Sequence, residues 1–201
     1  MQENLINYGF LNDAIKMYER YGYHRISVPW LVSGEAIYAT KPRENKSFET
    51  FDGHLVGSGE QGFIQMAMDG QLKHDTRLMT VTPCFRDDRP DEWHFRQFMK
   101  VELCWAYPKK DSHLDCMLNA VITDAQFVFR YLGAKTTIVE SAPGVLDLVD
   151  ERGVELGSYG FRTLGGFSWV FGTGIAEPRF SQAAKARFDA RYGGAIDASN
   201  S

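Results

Sequence analysis

The chain has 201 residues, 44% of them hydrophobic, and a formal net charge of -4. That length and apolar share allow one domain with an ordinary core, while the acidic balance excludes the global basic field of a dedicated nucleic-acid binder, so DNA is not an expected partner. Three cysteines (Cys84, Cys104 and Cys116) suggest neither a disulfide framework nor a closed zinc site; with no secretory pattern and no apolar run of bilayer length, the chain is expected to be cytoplasmic, without a membrane partner.

In chain order, "NLINYGFLNDAIKMYERYGYH" places Leu5, Phe10, Leu11, Ile15 and Tyr18 at helical spacing and predicts a helix to about residue 20, closed by Gly22. "HRISVPWLV" alternates through Ile26 and Val28 as a strand until Pro29 removes a backbone donor, which suits an edge or an interface. "SGEAIYATKPRENKSFETFDGH" is polar and aperiodic, a mobile loop or hairpin over a site. "GSGEQGFIQMAMDGQL" predicts a helix with Phe63, Ile64, Ala67 and Met68 on one face and Glu60 and Gln61 at its N-terminal end.

Two strands over 78–86 and 94–107 follow, joined by the acidic bend "DDRPDE", and then a helix over about 111–131. "HLDC" ahead of that helix suggests a surface His beside a buried Cys rather than a metal pair. "KTTIVES" is a short strand, 154–164 and 167–171 are two more, and a final helix starts near Pro178, where a proline is well tolerated. The aromatic residues Phe161, Phe167, Trp169 and Phe171 suggest core packing, and the tail 195–201 suggests disorder.

An antiparallel hairpin brings Arg86 and Phe98 to one end and one face of a sheet. A guanidinium beside an aromatic ring suits a nucleotide, with a bidentate donor for phosphate and a ring face for a base. The pair equally suits an arginine whose stem covers a core phenylalanine.

Taken together, the segments resemble the catalytic core of the class II aminoacyl-tRNA synthetases. "FRDDRPDEWHFRQFMKVELCWAY" is similar to that family's second signature, "GTGIAEPRF" to the third and "ISVPWL" to the weak first, all in the required order. The resemblance covers about 9–186. It implies an α+β fold, an antiparallel sheet of about six strands flanked by helices packed on one side, forming a single catalytic domain over 1–194 with the tail at 195–201.

The subgroup resembled most is that of the aspartate, asparagine and lysine enzymes, with "SGEQGFIQMAMDG" supplying a substrate-contacting Gln61 and "VELGSYGFR" a metal-linked Glu155 and an Arg162 at the amino-acid side chain. The last segment also resembles ammonia-dependent asparagine synthetase. On matching positions, the resemblance implies that Arg86 holds the α-phosphate of ATP and that Phe98 and Arg179 sandwich adenine. It further implies His94 near the outgoing pyrophosphate and Glu102 near ATP or its metal, with Mg2+ bridging phosphates through Glu155. Ser58 and Glu35 are candidates to line the amino-acid pocket.

Three departures stand out: Asp88 where the family usually has Glu, Pro178 ahead of Arg179, and a chain too short for an added anticodon-binding domain. The function implied is an ATP-dependent ligase that activates aspartate and passes it to a small acceptor such as ammonia. A minimal enzyme charging tRNA and a non-catalytic regulator that binds an amino acid or nucleotide are the alternatives. A homodimer is expected, with Pro29 near its two-fold axis.

Overall fold

The computed structural model describes residues 5–41, 46–72, 75–87, 89–107 and 113–192, with side chains to 185. The departure at Asp88, the domain boundary at 194 and the tail at 195–201 lie outside the described residues.

Helix α1 (Tyr8–Arg20) starts at Asn7, whose side chain accepts the Phe10 N–H, and buries Leu11, Ala14, Ile15 and Tyr18 along one stripe. Two short strands follow, β1 (His24–Arg25) and β2 (Leu31–Val32), then a short helix α2 (Gly34–Tyr38) and the hairpin β3 (Glu49–Thr50) and β4 (Gly53–Leu55). Helix α3 (Gly59–Met68) begins in a capping box between Ser58 and Gln61. The long strands β5 (Thr76–Phe85) and β6 (Gln97–Tyr107) come next, then α4 (Leu114–Tyr131). The chain continues through β7 (Thr137–Ala142), β8 (Val145–Val149), β9 (Glu155–Leu164), β10 (Phe167–Glu177) and α5 (Arg179–Tyr192).

The main sheet has seven strands in the order β1-β5-β6-β10-β9-β8-β7. The β1–β5 pair is parallel and the other pairs are antiparallel. A second, three-stranded sheet has the order β2-β4-β3.

Because side chains alternate across a strand, the central strands feed two cores. Met79, Val101, Leu103, Val170 and Ile175 join residues of α1, α4 and α5, while Leu78, Cys104, Ala106, Trp169 and Phe171 join α2 and α3. Helices therefore lie on both faces of the sheet, not on one. The strand predicted to run through Val28 until Pro29 is shorter, with β1 ending at Arg25, and after Pro29 the chain enters β2 in the other sheet. The segment 33–54, expected as a loop or hairpin, forms α2 and then enters the β3–β4 hairpin.

Strand β8 is an addition to the sequence reading, and β10 runs six residues past the predicted end at 171. Its glycines are matters of space: a Cβ on Gly172 would lie 2.7 Å from the Tyr159 ring, and one on Gly174 would lie 2.8 Å from Val101. A strand can pass that close to its neighbours only without side chains at those positions. Cys116 is exposed rather than buried, and Phe161 lies outside the core at 43% exposure. Among the described residues no helix is long and apolar enough to cross a membrane.

Candidate active site

The face of the sheet that carries α3 also carries a cleft of two connected lobes. A narrow lobe of about 40 Å³ is lined by Arg86, His94, Phe98, Lys100, Glu155 and Arg179, among others. A wider lobe of about 340 Å³ includes Ser58, Glu60, Gln61, Glu102, Arg162 and Phe171 in its wall. Arg86, Lys100, Glu155 and Thr173 belong to both.

Strand β6 supplies the floor. Phe98, Lys100 and Glu102 are two residues apart and so project to one face, and the register sets Phe98 opposite Cys84 on β5. Arg86, just past the end of β5, lays its guanidinium 5.1 Å from the Phe98 ring centroid and donates from Nε to the Gly57 carbonyl at 2.9 Å. That bond fixes the stem, and Nη1 and Nη2 have no hydrogen-bond partner among the described residues. The arrangement is a charged fork, oriented from behind and open in front.

Arg179, the first residue of α5, donates from Nε to the Trp93 carbonyl at 2.9 Å and from Nη1 to Glu155 Oε1 at 3.1 Å. Glu155, 43% exposed, stands at the junction of the lobes. His94 lines the narrow lobe, half exposed, and its Nδ1 lies 2.8 Å from the Asp91 carboxylate. The Trp93 N–H, together with His94, holds the Asp91 carboxyl below the usual carboxylate range.

Glu102 is buried. It receives the Ser58 hydroxyl at 2.5 Å and the Lys100 ammonium at 2.8 Å, both on Oε2. Lys100 is a cleft residue absent from the sequence-based candidates. The available signal was parity, since it stands midway between two candidates on the same strand face.

The wider lobe is organised around Glu60, which is 5% exposed. Its carboxylate receives Arg162 Nη1 at 3.1–3.2 Å and the Trp169 indole N–H at 2.8 Å. Arg162 also stacks 4.2 Å over Phe171. Burial pushes the Glu60 carboxyl up to about 7, against the opposing pull of Arg162. In sequence, Glu60 reads only as a helix-end residue, and Trp169 and Phe171 only as packing.

Two of the expected pocket residues sit as follows. Gln61 lines the wider lobe, yet its amide is fully engaged: Oε1 accepts from the Gly57 and Ser58 N–H groups, and Nε2 donates to the Ile37 carbonyl and Thr40 Oγ1. It braces the entry to α3 and has no spare donor for a substrate. Glu35 is exposed on α2 and lies outside the lining of both lobes.

Among the described residues no group of three or more His, Cys, Asp or Glu side chains could hold a metal by itself.

No protein-family model matches the chain. Among solved structures, the chain superposes on seryl-tRNA synthetase from Pyrococcus horikoshii, complexed with ATP, with a TM-score of 0.72, 16% identity, and coverage of 88% of this chain and 49% of that one. It superposes on a pyrrolysyl tRNA synthetase, PylSc of Desulfitobacterium hafniense, with a TM-score of 0.68, 13% identity, and coverage of 89% and 69%. The fold is that of a class II synthetase catalytic core. In sequence, a serine–tRNA ligase of Mesoplasma florum is 27% identical over 148 residues, 66% of this chain and 34% of that protein. The chain therefore spans about a third of the length of that ligase.

Proposed function

We propose that the chain is an ATP-dependent ligase that activates an amino acid as its aminoacyl adenylate. The observation that carries this is Arg86, held from behind by Gly57, stacked on Phe98 and open toward the junction of the two lobes. ATP lies over Phe98 in the narrow lobe with its α-phosphate at Arg86, and Arg179 bounds the same lobe. The amino acid occupies the wider lobe. Its carboxylate oxygen bonds to the α-phosphorus as the bond to the bridging oxygen breaks and pyrophosphate leaves.

Two anionic groups meet in that step: Arg86 places positive charge where negative charge builds up, while Arg179 holds the nucleotide. Position supplies the rest, and no side-chain nucleophile is needed. Magnesium takes one or two protein carboxylates beside phosphate oxygens, and the half-exposed Glu155 fits that demand. When bound, the ion would neutralise phosphate charge. Glu102, the other metal candidate, is already compensated by Lys100 and Ser58 and serves instead to fix Lys100 between the lobes.

The substrate amino acid carries an ammonium group, and Glu60 and Glu102 are the buried carboxylates of the wider lobe. Its side chain meets Arg162 already paired with Glu60, so the pocket best suits a small uncharged side chain. The aspartate reading rests on Gln61 and Arg162, and both are engaged within the chain; the ammonia acceptor rests on the likeness of "VELGSYGFR" to asparagine synthetase. Likeness to tRNA ligases supports a tRNA end over ammonia as the acceptor. A homodimer through the Pro29 region belongs to the same proposal, with Trp30 beside it 54% exposed, and sedimentation as a monomer at micromolar concentration would remove it.

The decisive experiment is ATP–pyrophosphate exchange across the amino acids, followed by acceptor assays with tRNA and with ammonia. The expected result is exchange driven by a small neutral amino acid. Exchange driven by aspartate alone would overturn the pocket reading. ATP binding without exchange for any amino acid would make the chain a nucleotide-binding regulator.

A further inference from the structure

Arg179 is held from two sides, by Glu155 within the cleft and by residues outside it. Its Nε donates to the main-chain carbonyl of Trp93, in the loop between β5 and β6. That carbonyl can hold a fixed place only if the loop does, and the loop is secured at two points. Asp91 Oδ1 accepts the Trp93 N–H at 2.7 Å and the His94 N–H at 2.8 Å, which sets the local turn. The Trp93 ring then lies against the guanidinium of Arg152, 5.5 Å from Cζ to centroid, and packs on the edge of the apolar core.

Arg152 is itself held by hydrogen bonds. It donates from Nε and Nη2 to the buried Asp150 carboxylate at 3.2 and 2.8 Å, and from Nη2 to the Ala183 carbonyl of α5 at 3.0 Å. The last bond ties Arg152 to the helix that carries Arg179. The Trp93 loop is thus docked on the element whose first residue it steers.

We propose that Trp93, clamped by Arg152, is a positioning residue that aims Arg179 across the nucleotide lobe and so sets nucleotide affinity from outside the pocket. The inference rests on the ligase reading for the identity of the nucleotide. Neither Trp93 nor Arg152 need touch ATP. A stacked indole held over a fixed guanidinium restricts the loop more than an alanine would, and the carbonyl it carries moves with the loop.

The test compares wild type, Trp93→Ala, Trp93→Phe and Arg152→Lys, each checked by thermal melting. The first readout is the Arg179 Nε–H signal in 15N-labelled protein, assigned by its loss in Arg179→Lys. The second is ATP affinity by calorimetry, with KM and kcat from pyrophosphate exchange. In Trp93→Ala the Nε–H signal shifts and exchanges faster, and ATP binds roughly tenfold more weakly, as for the loss of one aligned charge-assisted bond. The change falls on KM rather than kcat. Trp93→Phe, which keeps a ring over Arg152, stays within about twofold of wild type in ATP affinity.

Arg152→Lys, which keeps the charge and loses the planar face, changes both readouts as Trp93→Ala does, and it carries the test if Trp93→Ala fails to fold. An unmoved Arg179 signal, or a moved signal with unchanged ATP affinity, overturns the proposal. Wild-type protein that binds no ATP overturns the ligase reading and this inference with it. Wild-type binding matched by equal binding in the folded variants overturns this inference alone.

Discussion

One strand serves two different regions. On one face of β6, Val101 and Leu103 sit in the apolar core with α1 and α4. On the other, Phe98, Lys100 and Glu102 line the cleft. The backbone is common to both, so the difference lies in what each face does with burial. The first removes apolar surface from water, which is favourable in any arrangement that packs. The second buries Lys100 and Glu102, which is tolerable only because they pair with each other and Ser58 completes the set. Stability is dispersed on the first face and concentrated in specific partners on the second.

The sharpest way to break this comparison is Lys100→Met. Among the described residues Glu102, 1% exposed, would keep only the Ser58 hydroxyl, and the expected loss is about 3–5 kcal/mol of stability. The double variant Lys100→Met with Glu102→Gln removes both charges and should recover most of that loss in urea unfolding, while activity stays low. A double variant as unstable as the single one would mean that packing, not charge, holds this face together.

Arg86→Ala and Leu103→Ala separate the faces next. Arg86 sits at a strand end with an open fork, so its removal should slow adenylate formation about a hundred- to thousandfold, with the melting temperature nearly unchanged. Leu103, fully buried, should cost about 2–5 kcal/mol in stability and leave the ATP KM of the folded fraction intact. Melting curves beside exchange kinetics read both. If Leu103→Ala impaired ATP binding as strongly as Arg86→Ala, the two faces would not be independent.

The apolar face was the more legible of the two in sequence. Leu11, Ile15 and Tyr18 in α1, and Leu118, Val121, Ile122 and Ala125 in α4, follow the helical period, and all are buried in one core. The hairpin register that sets Phe98 near Arg86 was likewise readable, since alternation needs no distant information. Less was visible wherever a residue's role depends on a distant partner. Arg162 meets Glu60 across 102 positions, so no local pattern shows that it is already paired. Gln61 is ambiguous for a nearer reason, because a glutamine that braces its own helix start looks in sequence like one that contacts a substrate. Strands of two or three residues, such as β2 and β3, are too short for alternation to register.

The smallest effect is a pH dependence from Glu60, and it bears on the substrate. Burial raises its carboxyl to about 7 from an ordinary 4.5; Arg162 and the Trp169 N–H oppose the rise, Glu102 adds to it and Lys100 weakly opposes it. Between those two values the folded chain retains a proton that the unfolded chain has released. Stability from this group is therefore greatest below about pH 4.5 and is lost as pH rises through 7. Urea unfolding at pH 5.5 and 8 should show wild type losing more stability over that interval than Glu60→Gln, whose amide cannot titrate. Equal losses would place the Glu60 carboxyl near its ordinary value. The same titration decides what Arg162 faces. With Glu60 ionised, its charge is compensated and a neutral side chain fits beside it; with Glu60 protonated, the guanidinium lacks an anion and accepts a carboxylate more readily. Exchange driven by aspartate, relative to that driven by a small neutral amino acid, should therefore rise as pH falls from 8 to 6, and a ratio independent of pH would show that the Glu60–Arg162 pair does not govern the pocket.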